Sequence, residues 1–149
     1  MTEQRTGAAR PTDGFTAEEK AAMKQAVAEK KRTAAGKNTE DDVLAAIGAM
    51  DDFDRPIAEG LHALVKRIAP ELTCRTWYGF PAYARDAKGK EIVLFYQFAA
   101  KFKTRYGTLG FNDSARLDAG TLWPSAYAIT EWSSANEAAV TELIRRALA

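Results

Sequence analysis

Residues 76–83 divide this sequence into two unlike halves. They read Thr-Trp-Tyr-Gly-Phe-Pro-Ala-Tyr and place four aromatic rings, a glycine and a proline in eight positions. Glycine admits backbone angles that other residues avoid, while proline cannot donate to a strand ladder and holds the residue before it in an extended conformation. We therefore predict a bend between two strands here, with aromatic rings displayed on both sides of it.

The half before this segment has the pattern of helices. Residues 16–19, Thr-Ala-Glu-Glu, have the form of a capping box and predict a helix with few large apolar residues. Apolar residues then recur at helical spacing over residues 43–50 and again over 57–68, where Pro56 stands in the first turn. We predict an N-terminal extension over residues 1–38, a disordered tail plus a weakly packed helix, and a folded domain over residues 39–149.

The half after the segment has the pattern of an antiparallel sheet. Thirteen of the fifteen aromatic residues lie between Trp77 and Trp132, and aromatic residues suit half-buried sheet surfaces. A second capping box, Ser134 to Glu137, predicts a final helix. The strands are predicted at about residues 72–78, 82–85, 91–98, 104–111 and 127–132.

The fold class follows from the spacing of these strands. The gaps between them are too short for the crossover helices that a parallel sheet requires. We therefore predict an α+β fold in which an antiparallel sheet of about four to five strands packs against N- and C-terminal helices.

Composition excludes several classes of protein. The chain has 149 residues and a net charge of +1, which argues against nucleic-acid binding through bulk electrostatics. No apolar run approaches the roughly 20 residues of a membrane span, and the polar N-terminus does not have the pattern of a secretory signal. Cys74 is the only cysteine, so an internal disulfide is excluded and a cytoplasmic location is expected.

The central segment also carries a resemblance to a known family. A helix ends at Ala69-Pro70, a strand runs into Tyr78-Gly79-Phe80-Pro81, and a Lys88-Gly89-Lys90 turn precedes an aromatic strand at residues 92–96. Over roughly residues 39–149 this order resembles the YdhG-like domain. The resemblance implies an α+β fold and a frataxin-like iron chaperone, in a family whose members mostly have no assigned activity. The family's usual Phe-Lys-Asn-His segment is replaced at residues 97–103 by a stretch without histidine.

Few residues support catalysis. His62 is the only histidine, and its place beside an apolar helical stripe is typical of a core-edge residue. Cys74 alternates with Arg75 along a predicted strand, so the two side chains lie on opposite faces and the thiol faces the core. One cysteine and one histidine do not predict a zinc site.

A metal site is predicted from carboxylates. Six acidic residues within fifteen positions open two successive helices and would suit a weakly held, hard cation such as iron. Acidic residues at helix starts also cap free N–H groups, which is the simpler alternative. The six candidate ligands are Glu40, Asp41, Asp42, Asp51, Asp52 and Asp54.

A ligand site is predicted from the aromatic segment. We predict that Tyr78, Phe80, Pro81 and Tyr83 line a groove, while Trp77 packs in the core on the opposite face of the sheet. Gly79 permits the bend, and Arg75 is the nearest candidate polar group. An excess of basic residues between Arg75 and Arg105, seven against two acidic ones, would suit an anionic ligand or partner.

The leading functional hypothesis is therefore a non-enzymatic cytoplasmic protein that binds a small ligand, a metal ion such as iron, or a protein partner. It is not expected to bind nucleic acid or a membrane. Two alternatives stay open. One is an enzyme whose site lies in the aromatic groove and uses Tyr78, Tyr83 or Arg75. The other is an interaction module that pairs through a sheet edge.

Overall fold

A computed structural model describes residues 15–34 and 36–149. Its five strands form one antiparallel sheet in the order β1-β2-β3-β4-β5, which confirms the predicted α+β fold. The predicted disordered tail lies outside the described residues. The elements are α1 Ala17–Ala34, α2 Glu40–Gly48, α3 Asp54–Ile68, β1 Thr73–Trp77, β2 Phe80–Ala84, β3 Ile92–Gln97, α4 Ala99–Phe102, β4 Gly107–Phe111, β5 Ala126–Ile129 and α5 Ser134–Leu148.

Polar residues at the helix starts act as caps. The predicted capping box of α1 is present: Glu19 Oε1 accepts the Thr16 N–H at 2.9 Å, and Thr16 Oγ1 accepts the Glu19 N–H at 3.0 Å. For α5 the cap is Ser133, whose Oγ accepts the Asn136 N–H at 3.1 Å. The cap of α5 therefore lies one residue before the predicted one.

The short helix α4 was not predicted, and it delays the start of β4. Asp54 at the beginning of α3 is fully buried, and its Oδ1 accepts both the Tyr96 hydroxyl and the Ala99 N–H at 2.7 Å. Its Oδ2 accepts the Ala100 N–H at 3.1 Å. A carboxylate from one helix thus satisfies the free N–H groups at the start of another.

The bend at the central segment is a two-residue hairpin between β1 and β2. Trp77 and Phe80 face each other across the ladder, and Tyr78 and Gly79 form the turn with φ values of 53° and 85°. Positive φ at both positions is the signature of a type I′ turn, whose twist matches that of the flanking strands. Pro81 lies within β2, one residue before the pairing with β3 begins at Ala82.

The sheet has one closed face and one partly open face. On the closed face, helices α2, α3 and α5 contribute side chains to the main core, among them Val43, Leu61 and Ile144, which pack with Leu94 of β3. The other face carries a smaller cluster of Ala82, Ala84 and Ile92, with Trp77 and Phe95 packed against it. Helix α1 lies over this second face.

The free edge of β1 is held by Asn38, which is nearly buried. Its Oδ1 accepts the Thr76 N–H at 3.0 Å, and its Nδ2 donates to the Thr76 carbonyl at 3.0 Å. The side-chain amide thus pairs with β1 as a neighbouring strand would. Among the described residues, each helix is too short or too polar to cross a membrane.

Candidate functional site

An aromatic groove of about 320 Å³ lies between α1 and the second face of the sheet. Six rings and four other side chains form its walls. The rings belong to Phe15, Trp77, Tyr78, Phe80, Phe95 and Phe102, and the remaining side chains belong to Glu19, Ala22, Met23 and Gln97.

The rings of the groove support one another. The Trp77 ring meets the Phe95 ring at 5.2 Å between centroids and an interplanar angle of 71°, and it meets Phe80 at 6.0 Å and 81°. These are edge-to-face arrangements, which aromatic pairs favour. The walls of the groove are therefore already ordered by contacts within the protein.

A network of polar groups fixes the hairpin turn at one end of the groove. Both oxygens of the buried Glu29 carboxylate accept the Gly79 N–H at 3.0 Å. Lys101 Nζ donates to Gln25 Oε1 at 2.7 Å and also to the Tyr78 carbonyl. Burial lowers the pKa of Lys101, while the charge of Glu29 acts in the opposite direction. Helix α1 and helix α4 thus hold the turn in place.

The predicted sheet faces are wrong for Trp77, Pro81 and Tyr83. Tyr83 and Pro81 are fully buried on the core face, whereas Trp77 is half-buried on the groove face. The reason is the two-residue turn, which sets Trp77 opposite Phe80 and Cys74 opposite Tyr83, so that side chains alternate faces from those pairs. Of the predicted ligand-binding residues, Tyr78 and Phe80 line the groove.

Arg75 lies on the side of a different cavity. Its Nε donates to the Thr76 carbonyl at 2.9 Å, and its Nη1 donates to the Gly89 carbonyl at 3.0 Å. Burial lowers the pKa of this guanidinium. The cavity, of about 290 Å³, is also bordered by Lys66, Cys74 and Lys88.

The six predicted metal-binding carboxylates do not form one cluster. Asp42 pairs with Arg32 at 2.7 Å, Asp52 pairs with Arg55 at 2.8 Å, and Asp51 accepts the N–H groups at the start of α3. Asp54 is the buried cap of α4, and Asp41 is exposed. The simpler alternative, capping, thus accounts for Asp51 and Asp54, and also for Asp42, whose Oδ2 accepts the Thr39 N–H at 2.9 Å in the capping box of α2.

Of the six predicted carboxylates, Glu40 alone lies close to a buried histidine and a cysteine. His62 Nε2 lies 2.8 Å from Glu40 Oε2, and His62 Nδ1 lies 2.9 Å from the Tyr83 hydroxyl oxygen. Lys66 Nζ donates to Glu40 Oε1 at 3.1 Å. Glu40, His62 and Cys74 are the one group of three or more metal-ligand side chains close enough to share an ion within residues 15–34 and 36–149.

This cluster is not arranged for thiol chemistry. Burial and the charge of Glu40 raise the pKa of the Cys74 thiol, although Lys66 lowers it. Hydrogen bonds from His62 and Lys66 lower the pKa of Glu40. Both ring nitrogens of His62 are already paired, with Glu40 and Tyr83, so neither serves the thiol as a base. The sequence signalled this cluster through Glu40, one of the six predicted metal ligands, and through the position of His62 beside an apolar stripe, but it did not predict that they meet Cys74.

A larger cavity than the groove, about 830 Å³, lies elsewhere, at the loop between β4 and β5. It carries charges of both signs, from Arg116, Glu91 and Asp118. Arg85 at its wall donates from Nε and Nη2 to the backbone carbonyls of Ser114 and Ala147. Its lining is mostly polar and charged, whereas the aromatic groove combines apolar walls with a few polar groups as ligand pockets typically do, so size alone does not make this cavity the functional site.

Comparison with protein-family models, with curated proteins and with solved structures gives no match for this chain. The function is therefore argued from the geometry of its own residues.

Proposed function

We propose that this protein binds a small, flat and mainly apolar molecule in the aromatic groove. The observation that carries the proposal is the groove itself: six rings surround about 320 Å³ beside the central hairpin. Ligand pockets typically range from roughly 300 to 1,000 Å³ and combine apolar walls with a few polar groups. The groove is at the small end of this range, which favours a molecule of two or three fused rings.

The charge of the walls argues for a neutral or cationic ligand. Among the residues that the structure describes, Glu19 is the one ionisable carboxylate that lines the groove, and no lysine or arginine does. The anionic ligand expected from the excess of basic residues is not favoured here, because Arg75 and Lys88 border the other cavity. Tyr78 and Gln97 supply hydrogen-bonding groups that would orient the bound molecule.

Binding is favoured over catalysis. Glu19 already accepts the Thr16 N–H as part of the α1 cap, and the groove contains neither a histidine nor a cysteine. We place this binding protein in the cytoplasm on the argument that its one thiol is unpaired and buried, as in proteins of reducing compartments. We also propose that this chain is a member of the YdhG-like family, because the Tyr78-Gly79-Phe80-Pro81 hairpin has the form of the family's central segment.

The test is a fluorescence titration with 1-aminoanthracene, a neutral three-ring probe. The wild-type chain should show saturable binding with energy transfer from Trp77, which lines the groove. Met23→Trp should abolish probe binding, since Met23 occupies a half-exposed position on α1 and the larger indole would fill the groove from there. Val27→Trp is the matched control, because Val27 lies on the same helix, is 61% exposed and does not line the groove.

Unsaturable binding by the wild type, or equal affinity of wild type and Met23→Trp, would refute the proposal. Equal loss in both tryptophan variants would also refute it, because the effect would then come from α1 as a whole. A sulfonated probe, 1-anilinonaphthalene-8-sulfonate, should bind more weakly than the neutral probe, because Glu19 lines the groove. Tighter binding of the sulfonate would contradict the proposed ligand charge.

A further inference from the structure

We propose that Glu40, His62 and Cys74 form a binding site for Zn²⁺. Glu40 is the first residue of α2, His62 lies within α3, and Cys74 lies within β1, so the fold alone brings the three residues together. One donor atom from each lies within 4.8 Å of the other two. The site is separate from the aromatic groove, since Cys74 belongs to the main core on the opposite face of the sheet.

The donor set selects the class of metal. A thiolate sulfur, an imidazole nitrogen and a carboxylate oxygen are the three usual ligands of zinc, whereas magnesium and calcium prefer oxygen alone. With zinc–ligand bonds of about 2.0–2.3 Å, neighbouring ligand atoms on a tetrahedral ion lie roughly 3.3–3.6 Å apart. Donor atoms now within 4.8 Å of one another therefore reach this geometry through side-chain adjustments of roughly 1 Å.

His62 is held in an orientation that suits a ligand. The Tyr83 hydroxyl, fully buried, lies 2.9 Å from Nδ1 and fixes the plane of the ring. Histidines that bind metals commonly have the second nitrogen held in this way. When Nε2 binds the ion, Nδ1 carries the ring proton and donates a hydrogen bond to the Tyr83 hydroxyl oxygen.

Glu40 has one oxygen available for the ion. Lys66 binds Oε1 at 3.1 Å, while Oε2 faces His62 at 2.8 Å and can turn from the imidazole to the metal. The Glu40 carboxylate and the Cys74 thiolate together neutralise the two positive charges of zinc. The thiol proton leaves to solvent when the ion binds.

The fourth position of the ion faces solvent. The cavity of about 290 Å³ borders Glu40, Lys66 and Cys74, so water reaches the ion from that side. Three protein ligands and one open position are the pattern of an open zinc site rather than of a closed, purely structural one. Glu40 is already paired with His62 and Lys66, so we infer reversible loading rather than zinc-dependent folding.

The experiment is calorimetric titration of chelator-treated protein with Zn²⁺, followed by optical spectroscopy with Co²⁺ in its place. We expect one equivalent of Zn²⁺ to bind, no binding of Ca²⁺, and a thiolate-to-cobalt charge-transfer band. Cys74→Ala should remove the band, and Glu40→Gln should remove stoichiometric binding. Tyr83→Phe, which takes away the partner of Nδ1, should weaken binding by about 10–100-fold.

The neighbouring acid supplies the matched control. Asp41→Asn removes a carboxylate one residue away that is exposed and does not belong to the cluster, so it should bind Zn²⁺ as the wild type does. Absence of stoichiometric binding by the wild type would overturn the proposal. So would a charge-transfer band that persists in Cys74→Ala, or equal losses in Glu40→Gln and Asp41→Asn.

Fe²⁺ titration of the same variants separates this site from the iron-binding surface that the family resemblance implies. Fe²⁺ binding that is lost in Asp41→Asn but kept in Cys74→Ala would locate iron at the acidic surface and would count against the cluster as the metal site of this protein. Because the groove is tested with an organic probe, failure of either experiment leaves the other proposal standing.

Discussion

The two faces of this sheet use similar side chains for opposite purposes. On the core face, Tyr83 and Tyr96 are fully buried, and each hydroxyl has a partner, His62 for the first and Asp54 for the second. On the groove face, Trp77 and Phe95 stay half-buried over small residues such as Ala82. Aromatic residues on the closed face contribute to the stability of the core, whereas those on the open face keep ring surface free to contact another molecule.

Neighbouring residues on β3 provide the largest test of this contrast. Leu94 is fully buried on the core face, and Leu94→Ala should lower the free energy of unfolding by about 2–5 kcal/mol. Phe95 lies on the groove face and is half-buried, so Phe95→Ala should cost on the order of 1–2 kcal/mol in spite of its larger side chain. Urea denaturation of both variants measures the difference.

The same pair also separates stability from binding. Leu94→Ala should keep 1-aminoanthracene affinity while it is folded, and Phe95→Ala should lose it because a wall of the groove is removed. If Phe95→Ala proves the more destabilising of the two, the groove face is a second core rather than a binding surface.

A pair of tyrosines gives a smaller effect. Tyr83→Phe deletes the hydroxyl paired with buried His62 and should cost about 1–3 kcal/mol, because Nδ1 loses its partner. Tyr78→Phe, in the half-exposed turn, should leave the free energy of unfolding within about 0.5 kcal/mol of wild type. Thermal and urea unfolding check both values, and a stable Tyr83→Phe would show that the His62–Tyr83 contact is not maintained in solution.

Removal of α1 should have the smallest effect on the core. None of the α1 residues whose burial the structure describes belongs to the main core cluster, so a chain shortened to residues 38–149 should still unfold in one cooperative thermal transition. Probe binding should disappear with the Phe15, Ala22 and Met23 wall. A shortened chain that melts without a cooperative transition would show that the Glu29–Gly79 contact makes α1 part of the domain.

Much of the fold was predictable from local pattern. Helical spacing, capping residues and the dense aromatic half gave the fold class and the five strands, because each signal depends on residues a few positions apart. The start of β4 was misplaced because α4 depends on Asp54, forty-five positions before Ala99. Its N-terminal cap is a tertiary contact that no local pattern contains.

The site was less predictable, for two physical reasons. Every residue of β2 is buried, so the usual alternation of apolar and polar residues did not show which face was closed. Strict alternation would still have separated Phe80 from Pro81 and Tyr83, which a single groove cannot combine. The meeting of Glu40, His62 and Cys74 depends on the packing of three elements, so the sequence could single out Glu40 as a metal ligand but could not show which residues it meets.

The pairing of Asn38 with Thr76 has a consequence for how the protein associates. An outer strand with unpaired backbone groups is a template on which further strands add, the route to aggregation and to strand-exchanged assemblies. Here a single side chain occupies both the N–H and the carbonyl of Thr76. Any chain that adds to β1 at Thr76 must first displace this amide, so edge-to-edge growth is disfavoured on the side of the sheet that carries the aromatic hairpin.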